Sequence, residues 1–335
     1  MSRVRSSLVL VAVAPSVALV GCQGPQEASG ASMGTAGTSA SASSSAEATG
    51  STGASIVGSA GCGMPALSPG THQALAIEFS GMTRSYDLFV PQAYEPQRPM
   101  PLVLGFHGHL GSPSSAASGS MLDPMAQTRG FIAAYPQGLG ASWNGGQCCG
   151  PAYVYDEDDV GFAVAVVEQV SAQLCVDPGR VYATGISNGA FLVQRIACEA
   201  AEHFTAVASV AGVLGIPAAD CTPSTPIAVW HVHGTADQFV PYEGNGPGYP
   251  PVPEMMEGWA ARNGCDRDPT TVLQRDEVQC DSWPGCTDAV EVTLCTVQGG
   301  GHCWPGHDAC PEGQDTTGLV ASEAIVEFFE AHVRR

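Results

Sequence analysis

The stretch Arg180-Val181-Tyr182-Ala183-Thr184-Gly185-Ile186-Ser187-Asn188-Gly189 decides the fold of this chain. Its first half has the composition of a buried strand, and residues 188–200 have a helical pattern. Between them lies a G-x-S-x-G sequence, in which a sharp turn between strand and helix lifts the serine hydroxyl out of the sheet. The pentapeptide alone is common by chance. The strand before it and the helix after it are what make Ser187 a candidate nucleophile.

Strands and helices alternate on both sides of this turn. The strands are predicted at residues 85–91, 101–106, 130–135, 180–184, 226–232 and 290–297, and the helices at 160–174, 188–200 and 319–333. Asp158 or Asp159 can cap the first of these helices. Such alternation implies right-handed crossovers and a mostly parallel sheet with helices on both faces. The predicted fold class is therefore α/β.

The charge balance excludes several kinds of chemistry. The chain has 12 Lys+Arg against 32 Asp+Glu, a formal net charge of -20, which repels phosphate backbones, so no nucleic-acid partner is expected. Every basic residue is Arg. A Ser-Lys dyad, a Schiff-base lysine and a P-loop lysine are therefore all excluded.

The first 22 residues have the pattern of a bacterial lipoprotein signal peptide. Arg3 and Arg5 precede an apolar run, residues 8–20, which is too short to span a bilayer as a helix and is followed by Cys22. We expect export, cleavage and lipidation at Cys22, with Gln23 favouring the outer membrane if the cell is Gram-negative. The alternative is an ordinary signal peptide with an incidental cysteine.

Residues 23–60 are dominated by Gly, Ser, Ala and Thr, which predicts a flexible, disordered linker. Residues 61–335 are then expected to form one catalytic domain, and the lipid anchor is the only expected contact with a membrane. The chain has 13 cysteines, so lipidation of one leaves twelve, enough for six disulfides in an oxidising compartment.

A serine hydroxyl needs a base and an orienting carboxylate, which in a fold with this turn follow in the order Ser, Asp or Glu, His. Asp237 lies just past the strand predicted at 226–232, where the acid should emerge, and Glu243 and Asp220 are weaker candidates. His302 follows Gly299 to Gly301 directly after the last predicted strand, and His307 is the rival base.

Two backbone N–H groups are needed for the developing oxyanion. One is predicted at Asn188, after the nucleophile, and the other at His109, in the loop that follows an early strand. The alternative for His107 and His109, a metal site, is weak because further ligands are missing, so no metal is expected. Three aromatic residues either form a substrate pocket or pack the loops: Trp143, Tyr242 and Trp304.

Six segments together resemble the polyhydroxybutyrate depolymerase and feruloyl esterase family of secreted serine esterases, which has the α/β-hydrolase fold. They are Phe106-His107-Gly108, Trp143-Asn144-Gly145-Gly146-Gln147-Cys148-Cys149-Gly150, Asp158-Asp159-Val160-Gly161-Phe162, Thr184-Gly185-Ile186-Ser187-Asn188-Gly189, His233-Gly234-Thr235-Ala236-Asp237 and Gly300-Gly301-His302-Cys303-Trp304-Pro305-Gly306. The match runs from about Cys62 to the C-terminus. It places nucleophile, acid and base at Ser187, Asp237 and His302.

The resemblance implies a secreted serine carboxylic ester hydrolase without a cofactor, expected as a monomer. Its substrate would be a plant cell-wall hydroxycinnamoyl ester or a short-chain polyester. Chain order and resemblance also suggest disulfides between Cys198 and Cys221 and between Cys265 and Cys286, with Cys62 and Cys175 holding Cys148 and Cys149 between them.

Departures from the family leave room for other functions. His109 and Leu110 stand where relatives often have cysteine or glycine, and Cys303 and Cys310 are additional, so that a disulfide between them would stiffen the loop of His302. One alternative is an acetyl xylan esterase or another carbohydrate acetyl esterase. An alternative of another class is a non-catalytic surface lipoprotein that binds glycans.

Overall fold

The computed structural model describes residues 58–335, except residues 66, 247, 308, 309, 311, 312 and 315. The predicted leader, the lipidation site Cys22 and the linker up to residue 57 lie outside the described residues. Within the described part, no helix is long and apolar enough to cross a membrane. The Ser59 N–H donates to Val176 O at 2.9 Å, so packing against the sheet already begins before residue 61.

The described residues form a ten-stranded sheet with the order β1-β2-β4-β3-β5-β6-β7-β10-β9-β8. The strands are β1 Gly70–Phe79, β2 Met82–Val90, β3 Met100–Phe106, β4 Ile132–Pro136, β5 Val176–Ile186, β6 Ala206–Val210, β7 Ala228–Gly234, β8 Thr270–Arg275, β9 Val278–Trp283 and β10 Val292–Val297. The six central strands, from β4 to β10 in this order, run parallel, whereas β1, β2, β8 and β9 pair antiparallel at the two edges. The carboxyl ends of the parallel strands share one edge.

Seven α-helices cover the two faces of the sheet in the described part of the chain. They are α1 Pro113–Ser120, α2 Leu122–Arg129, α3 Pro151–Val154, α4 Asp159–Gln173, α5 Asn188–Glu199, α6 Val252–Arg262 and α7 Ala321–Ala331. One apolar core contains side chains of α4, α5 and α6, and the other contains side chains of α1, α2 and α7. The predicted α/β class, with a mostly parallel sheet and helices on both faces, is confirmed.

The predicted elements lie within a few residues of the observed ones, and the omissions have physical causes. The strands β1, β6, β8 and β9 and the helices α1, α2, α3 and α6 were not predicted. β1 and β8 are edge strands in which at most one residue is buried. β6 is fully buried but only five residues long and rich in alanine, so its pattern is weak. β5 begins at Val176 rather than at residue 180, because the strand runs through Asp177 and Pro178 with a register shift.

The twelve described cysteines form six disulfides. Cys198–Cys221 and Cys265–Cys286 pair as the resemblance implied, and Cys303–Cys310 links the loop of His302. The expectation for four others is wrong: Cys62 pairs with Cys175 and Cys148 with its neighbour Cys149. Cys62 and Cys175 are brought together because Ser59 bonds to Val176, with their Cα atoms 4.0 Å apart. The remaining pair is Cys280–Cys295.

The Cys62–Cys175 disulfide closes a long loop, since 113 positions separate its two cysteines. Restriction of the unfolded chain then predicts that Cys62→Ser with Cys175→Ser lowers the free energy of unfolding by about 5 kcal/mol. Cys303→Ser with Cys310→Ser is the matched control, because a separation of 7 predicts about 2.5 kcal/mol. Denaturant unfolding measures both, and equal losses would contradict the loop argument.

Candidate active site

The predicted turn lies between β5 and α5. Ser187 has φ 56° and ψ −125°, a region that residues with side chains rarely occupy, so the turn is strained. Its N–H donates to Val210 O at 2.9 Å, which ties the turn to the next strand. A Cβ on Gly189 would lie 2.5 Å from Phe106 O, and one on Gly185 would lie 2.9 Å from Gly189 C. Both glycines are therefore required by close approach of the backbone, as the motif predicted.

Asp237 and His302 meet in the loops that follow two neighbouring parallel strands, β7 and β10. His302 Nδ1 lies 2.8 Å from Asp237 Oδ2, and the N–H groups of Phe239 and Val240 donate to Asp237 Oδ1 at 2.9 and 2.8 Å. Burial alone would raise the pKa of Asp237, but hydrogen bonds from His233 and His302 outweigh it and hold this pKa well below its ordinary value. The carboxylate is ionised and orients the imidazole.

The rival acids and base lie elsewhere. Asp220 and Glu243 are exposed, whereas the side chain of Asp237 is fully buried against His302. His307 Nε2 lies 2.8 Å from Ser118 O, at the surface of α1. Of the predicted candidates, the structure brings Asp237 and His302 together.

The Ser187 hydroxyl and the His302 imidazole both lie at the carboxyl edge of the sheet. Because His302 uses Nδ1 for Asp237, Nε2 is the nitrogen that can take a proton from a hydroxyl. Within the described residues no hydrogen bond joins Ser187 Oγ to His302. Such bonds are often long in an enzyme without substrate and shorten when the substrate binds.

The loop after β3 lies against the turn, since a Cβ on Gly108 would be 3.4 Å from Ser187 Cβ. His107 shapes this loop: Gly138 N–H donates to its Nε2 at 3.1 Å, so its proton is on Nδ1, which donates to Gly108 O at 2.8 Å. Burial lowers the pKa of His107, which keeps the ring neutral. A neutral ring with both nitrogens bonded is a structural part of the loop.

Of the two predicted oxyanion donors, Asn188 directly follows Ser187 and His109 lies in the loop after β3. Asn188 is the first residue of α5, where a backbone N–H has no acceptor within the helix. The Asn188 side chain is bonded twice to Trp143, accepting from its N–H at 2.7 Å and donating to its carbonyl at 2.9 Å. For the N–H of His109, no acceptor occurs among the hydrogen bonds of the described residues.

The predicted aromatic residues differ in position. Trp143 is fully buried, and its indole N–H donates to His107 O at 2.9 Å, so it packs beneath the loop. Tyr242 is also buried, with its hydroxyl 2.8 Å from Thr296 Oγ1. Trp304 lines a cavity beside the turn. Packing therefore accounts for Trp143 and Tyr242. Trp304 is also buried, with its indole N–H donating to Ser322 Oγ at 2.9 Å, and it lines the cavity as well.

Sequence reasoning missed Phe239, whose ring centroid lies 5.2 Å from that of His302. Its side chain is 62% exposed. Its position two residues after Asp237 was the available signal.

A buried ion pair holds the loop of Trp143 in place. Arg84 and Asp159 lie 2.8 Å apart with side chains almost fully buried, and Asp159 also accepts from the Asn144 N–H at 2.8 Å. The open choice of helix cap is thereby settled: Asp158 caps α4 by accepting from Gly161 N–H, and Asp159 serves the ion pair. Within the described residues, no group of three or more His, Cys, Asp or Glu could hold a metal ion.

Comparison with known proteins identifies the relatives of this chain. A model of the prolyl oligopeptidase family matches residues 122–247. Feruloyl esterase C of Emericella nidulans is 30% identical over 289 residues, which are 82% of this chain and 91% of that protein. Feruloyl esterase B of Piromyces equi is 30% identical over 233 residues, which are 63% of this chain but only 41% of that protein.

Among solved structures, an acetyl xylan esterase from Aspergillus awamori superposes with a TM-score of 0.57 at 16% identity, over 78% of this chain and 98% of that one. At this identity the likeness shows the fold. The fold and the sequence relatives define a serine hydrolase of the α/β-hydrolase class that acts on carboxylic ester bonds. More narrowly, the chain belongs to the feruloyl esterase family, which confirms that part of the resemblance.

Proposed function

We propose that Ser187, Asp237 and His302 are the catalytic triad of this esterase. The hydrogen bond of 2.8 Å between Asp237 and His302, at the sheet edge that also carries the strained turn of Ser187, is the observation that supports it most. The order along the chain also agrees with that of α/β-hydrolases.

In the proposed reaction, Ser187 Oγ attacks the ester carbonyl while His302 Nε2 takes the hydroxyl proton. The negative oxygen of the tetrahedral intermediate accepts hydrogen bonds from the N–H groups of Asn188 and His109. His302 returns the proton to the leaving alcohol, and an acyl-enzyme remains. A water molecule, deprotonated by His302, then releases the acid, and Asp237 stabilises the imidazolium in both halves.

A cavity of about 270 Å³ beside the turn is proposed to take the acyl group. Its walls are mostly apolar and are shared by β3, β5, the loop after β3, α1 and the loop of His302, including Phe106, Leu110, Ala116, Ile186 and Trp304. The volume suits a small acid, since larger ligands occupy roughly 300–1,000 Å³. A flat hydroxycinnamoyl group matches such a cavity and, being rigid, loses little entropy on binding.

Thr184 is the feature of this cavity that favours a ring with a polar substituent. It is fully buried, it lines the cavity, and in the described part of the chain its Oγ1 has no hydrogen-bond partner. A buried hydroxyl without a partner costs about 1–3 kcal/mol. Oγ1 is enclosed, so we propose that the Thr184 side chain turns toward the cavity and that a hydroxyl on the ligand then offsets this cost. We therefore propose hydroxycinnamoyl esters, as in the names of the relatives, over acetate or hydroxybutyrate esters.

Thr184→Val is expected to lower the preference for a hydroxylated ring. The ratio of kcat/KM for methyl p-coumarate to that for methyl cinnamate should fall about fivefold, because one hydrogen bond of about 1 kcal/mol is lost. Thr184→Ser keeps the hydroxyl and should keep most of the ratio. An unchanged ratio in the valine variant would contradict this role, and faster turnover of acetylated xylan or hydroxybutyrate oligomers would reassign the substrate.

We further infer that the enzyme is exported and attached to the cell envelope by a lipid on Cys22. Residues 23–57 are the proposed linker, because Ser59 already bonds to Val176. The catalytic domain is proposed to act as a monomer on plant cell-wall esters. The six disulfides support an oxidising compartment. Cys22→Ser should move the enzyme from the membrane fraction to the soluble fraction of fractionated cells. An enzyme already soluble in its unchanged form would contradict the anchor.

A further inference from the structure

A chain of buried polar side chains leads from the helical layer of α5 and α6 to Asp237. It comprises Trp259, Gln194, Ser209, His231 and His233, each at most 1% exposed. Successive contacts measure 2.6 Å from Trp259 Nε1 to Gln194 Oε1, 2.7 Å from Gln194 Nε2 to Ser209 Oγ, 2.7 Å from Ser209 Oγ to His231 Nδ1 and 3.0 Å from His231 Nε2 to His233 Nδ1. His233 Nε2 then lies 3.2 Å from Asp237 Oδ2 and 2.7 Å from Val240 O.

The direction of these hydrogen bonds follows from the first member. An indole N–H can only donate, so the oxygen of Gln194 faces Trp259 and its NH2 group donates to Ser209. The Ser209 hydroxyl, which has one proton, then donates to His231 Nδ1. Burial, and next the nearby His233, lower the pKa of His231 well below its ordinary value, so this ring is neutral and has its proton on Nε2.

The contacts of His233, at the Asp237 end of the network, agree with this direction of donation. His233 Nε2 faces a carboxylate oxygen and a carbonyl oxygen, neither of which can donate, so Nε2 carries a proton. His233 therefore accepts at Nδ1 from His231. Each of the five side chains then has a hydrogen-bond partner, and the hydrogen bonds all run toward the loop that carries Asp237. Hydrogen bonds aligned in this way strengthen one another.

The chain of hydrogen bonds connects the two structural elements that a serine hydrolase must keep in register. Gln194 belongs to α5, the helix that starts directly after Ser187, whereas His231 and His233 belong to β7, which leads to Asp237. Apolar side chains of similar size at these buried positions would be no less stable, since buried polar groups gain little net free energy. Stability therefore gives no reason for five polar side chains here.

We propose that this hydrogen-bond network positions Asp237, with His231 and His233 as positioning residues for the imidazole of His302. His233 Nε2 bonds to Val240 O at 2.7 Å and lies 3.2 Å from the Asp237 carboxylate, which accepts from His302 Nδ1 and from the N–H groups of Phe239 and Val240. The network holds the carboxylate against α5 and so against the turn of Ser187. The inference rests on the proposed triad.

The test compares His233→Leu, which removes the donor, with His233→Gln, whose amide can donate from nearly the same place. Both are made in the full-length enzyme and assayed on methyl ferulate. His233→Leu should lower kcat on the order of 10²-fold, because a misplaced catalytic group loses that much, with KM changed less than about twofold. His233→Gln should recover at least tenfold of kcat. His302 Nδ1–H should shift in the proton NMR spectrum of the leucine variant.

Ser209→Ala covers the case in which His233→Leu does not fold, since it removes only one hydroxyl. It should lower kcat about fivefold and shift the same NMR resonance, as expected for loss of one hydrogen bond. His332→Leu is the control, because His332 is buried at the end of α7, where its ring bonds to Phe328 O at 2.7 Å and its carbonyl accepts from the Tyr182 hydroxyl at 2.7 Å. It should lower the melting temperature and leave kcat and the resonance unchanged.

The outcomes separate this inference from the proposed function. The positioning role would be overturned if kcat and the NMR resonance were unchanged in Ser209→Ala and in whichever His233 variant folds. If Ser187→Ala were inactive at the same time, the proposed triad would still stand. The role is also overturned if kcat falls equally in His332→Leu, because that would show a general effect of stability. Activity retained in Ser187→Ala would instead overturn the proposed function.

Discussion

Ser187→Ala is expected to lower kcat on methyl ferulate on the order of 10⁶-fold, because without the hydroxyl no acyl-enzyme forms and the other triad members cannot act alone. KM should change little, since the hydroxyl contributes to the transition state more than to substrate binding. The replacement relieves none of the turn's strain, which is a property of the backbone at φ 56°. Stopped-flow measurement should also show loss of the burst of alcohol release.

Ser224→Ala is the matched control for this prediction. Ser224 is exposed and bonds to Glu202, away from the carboxyl edge of the sheet, so its loss should leave kcat and KM as they are. Turnover of Ser187→Ala within tenfold of the unchanged enzyme would show that another residue is the nucleophile.

Asp237→Asn should lower kcat on the order of 10⁴-fold, because an amide in place of the carboxylate favours the wrong tautomer of the base. The site makes this change severe. The carboxylate accepts from His302 and two backbone N–H groups and lies 3.2 Å from His233 Nε2, and an asparagine has only one oxygen with which to accept. At least one buried donor therefore loses its acceptor, and melting temperature as well as kcat should fall.

Asp237→Asn should also differ from the unchanged enzyme in how its stability depends on pH. The folded enzyme holds the pKa of Asp237 below its ordinary value, so the carboxylate contributes stability that is fully present above about pH 4 and is lost as the pH falls toward the folded value. The gap in melting temperature between the unchanged enzyme and Asp237→Asn should narrow on acidification below pH 4. Asp220→Asn, at an exposed site, should show neither effect. A gap that widens on acidification would contradict the assignment.

The central features of the fold and site could be predicted because their signals are local. The strand, the turn and the helix around Ser187 lie within about twenty residues, and the buried strands on either side carry continuous apolar runs. The loops of Asp237 and His302 follow such strands directly, and parallel strands bring their carboxyl ends to one edge.

Features that depend on distant parts of the chain could not be predicted. Nothing near Cys62 in sequence indicates that residues 58–60 pack beside Val176 and so present it to Cys175. In the sequence, His231 and His233 are simply two polar residues in a strand. Their hydrogen-bond network is completed by Ser209, Gln194 and Trp259, which lie on three other elements. Trp143 was a candidate for the substrate pocket because it is aromatic. In the structure it is buried, and its indole N–H donates to His107 O and supports that loop.

The residues around Cys62 and the active-site turn lie at opposite ends of β5. Cys62 is bonded to Cys175, at the start of β5, whereas Ser187 follows the end of the same strand, roughly 35 Å away for eleven extended residues. A group attached at the exposed residue Ala60, beside the start of β5, therefore lies at the end of that strand opposite to Ser187. Immobilisation through a cysteine placed at this position should leave the cavity open to bulky, insoluble material.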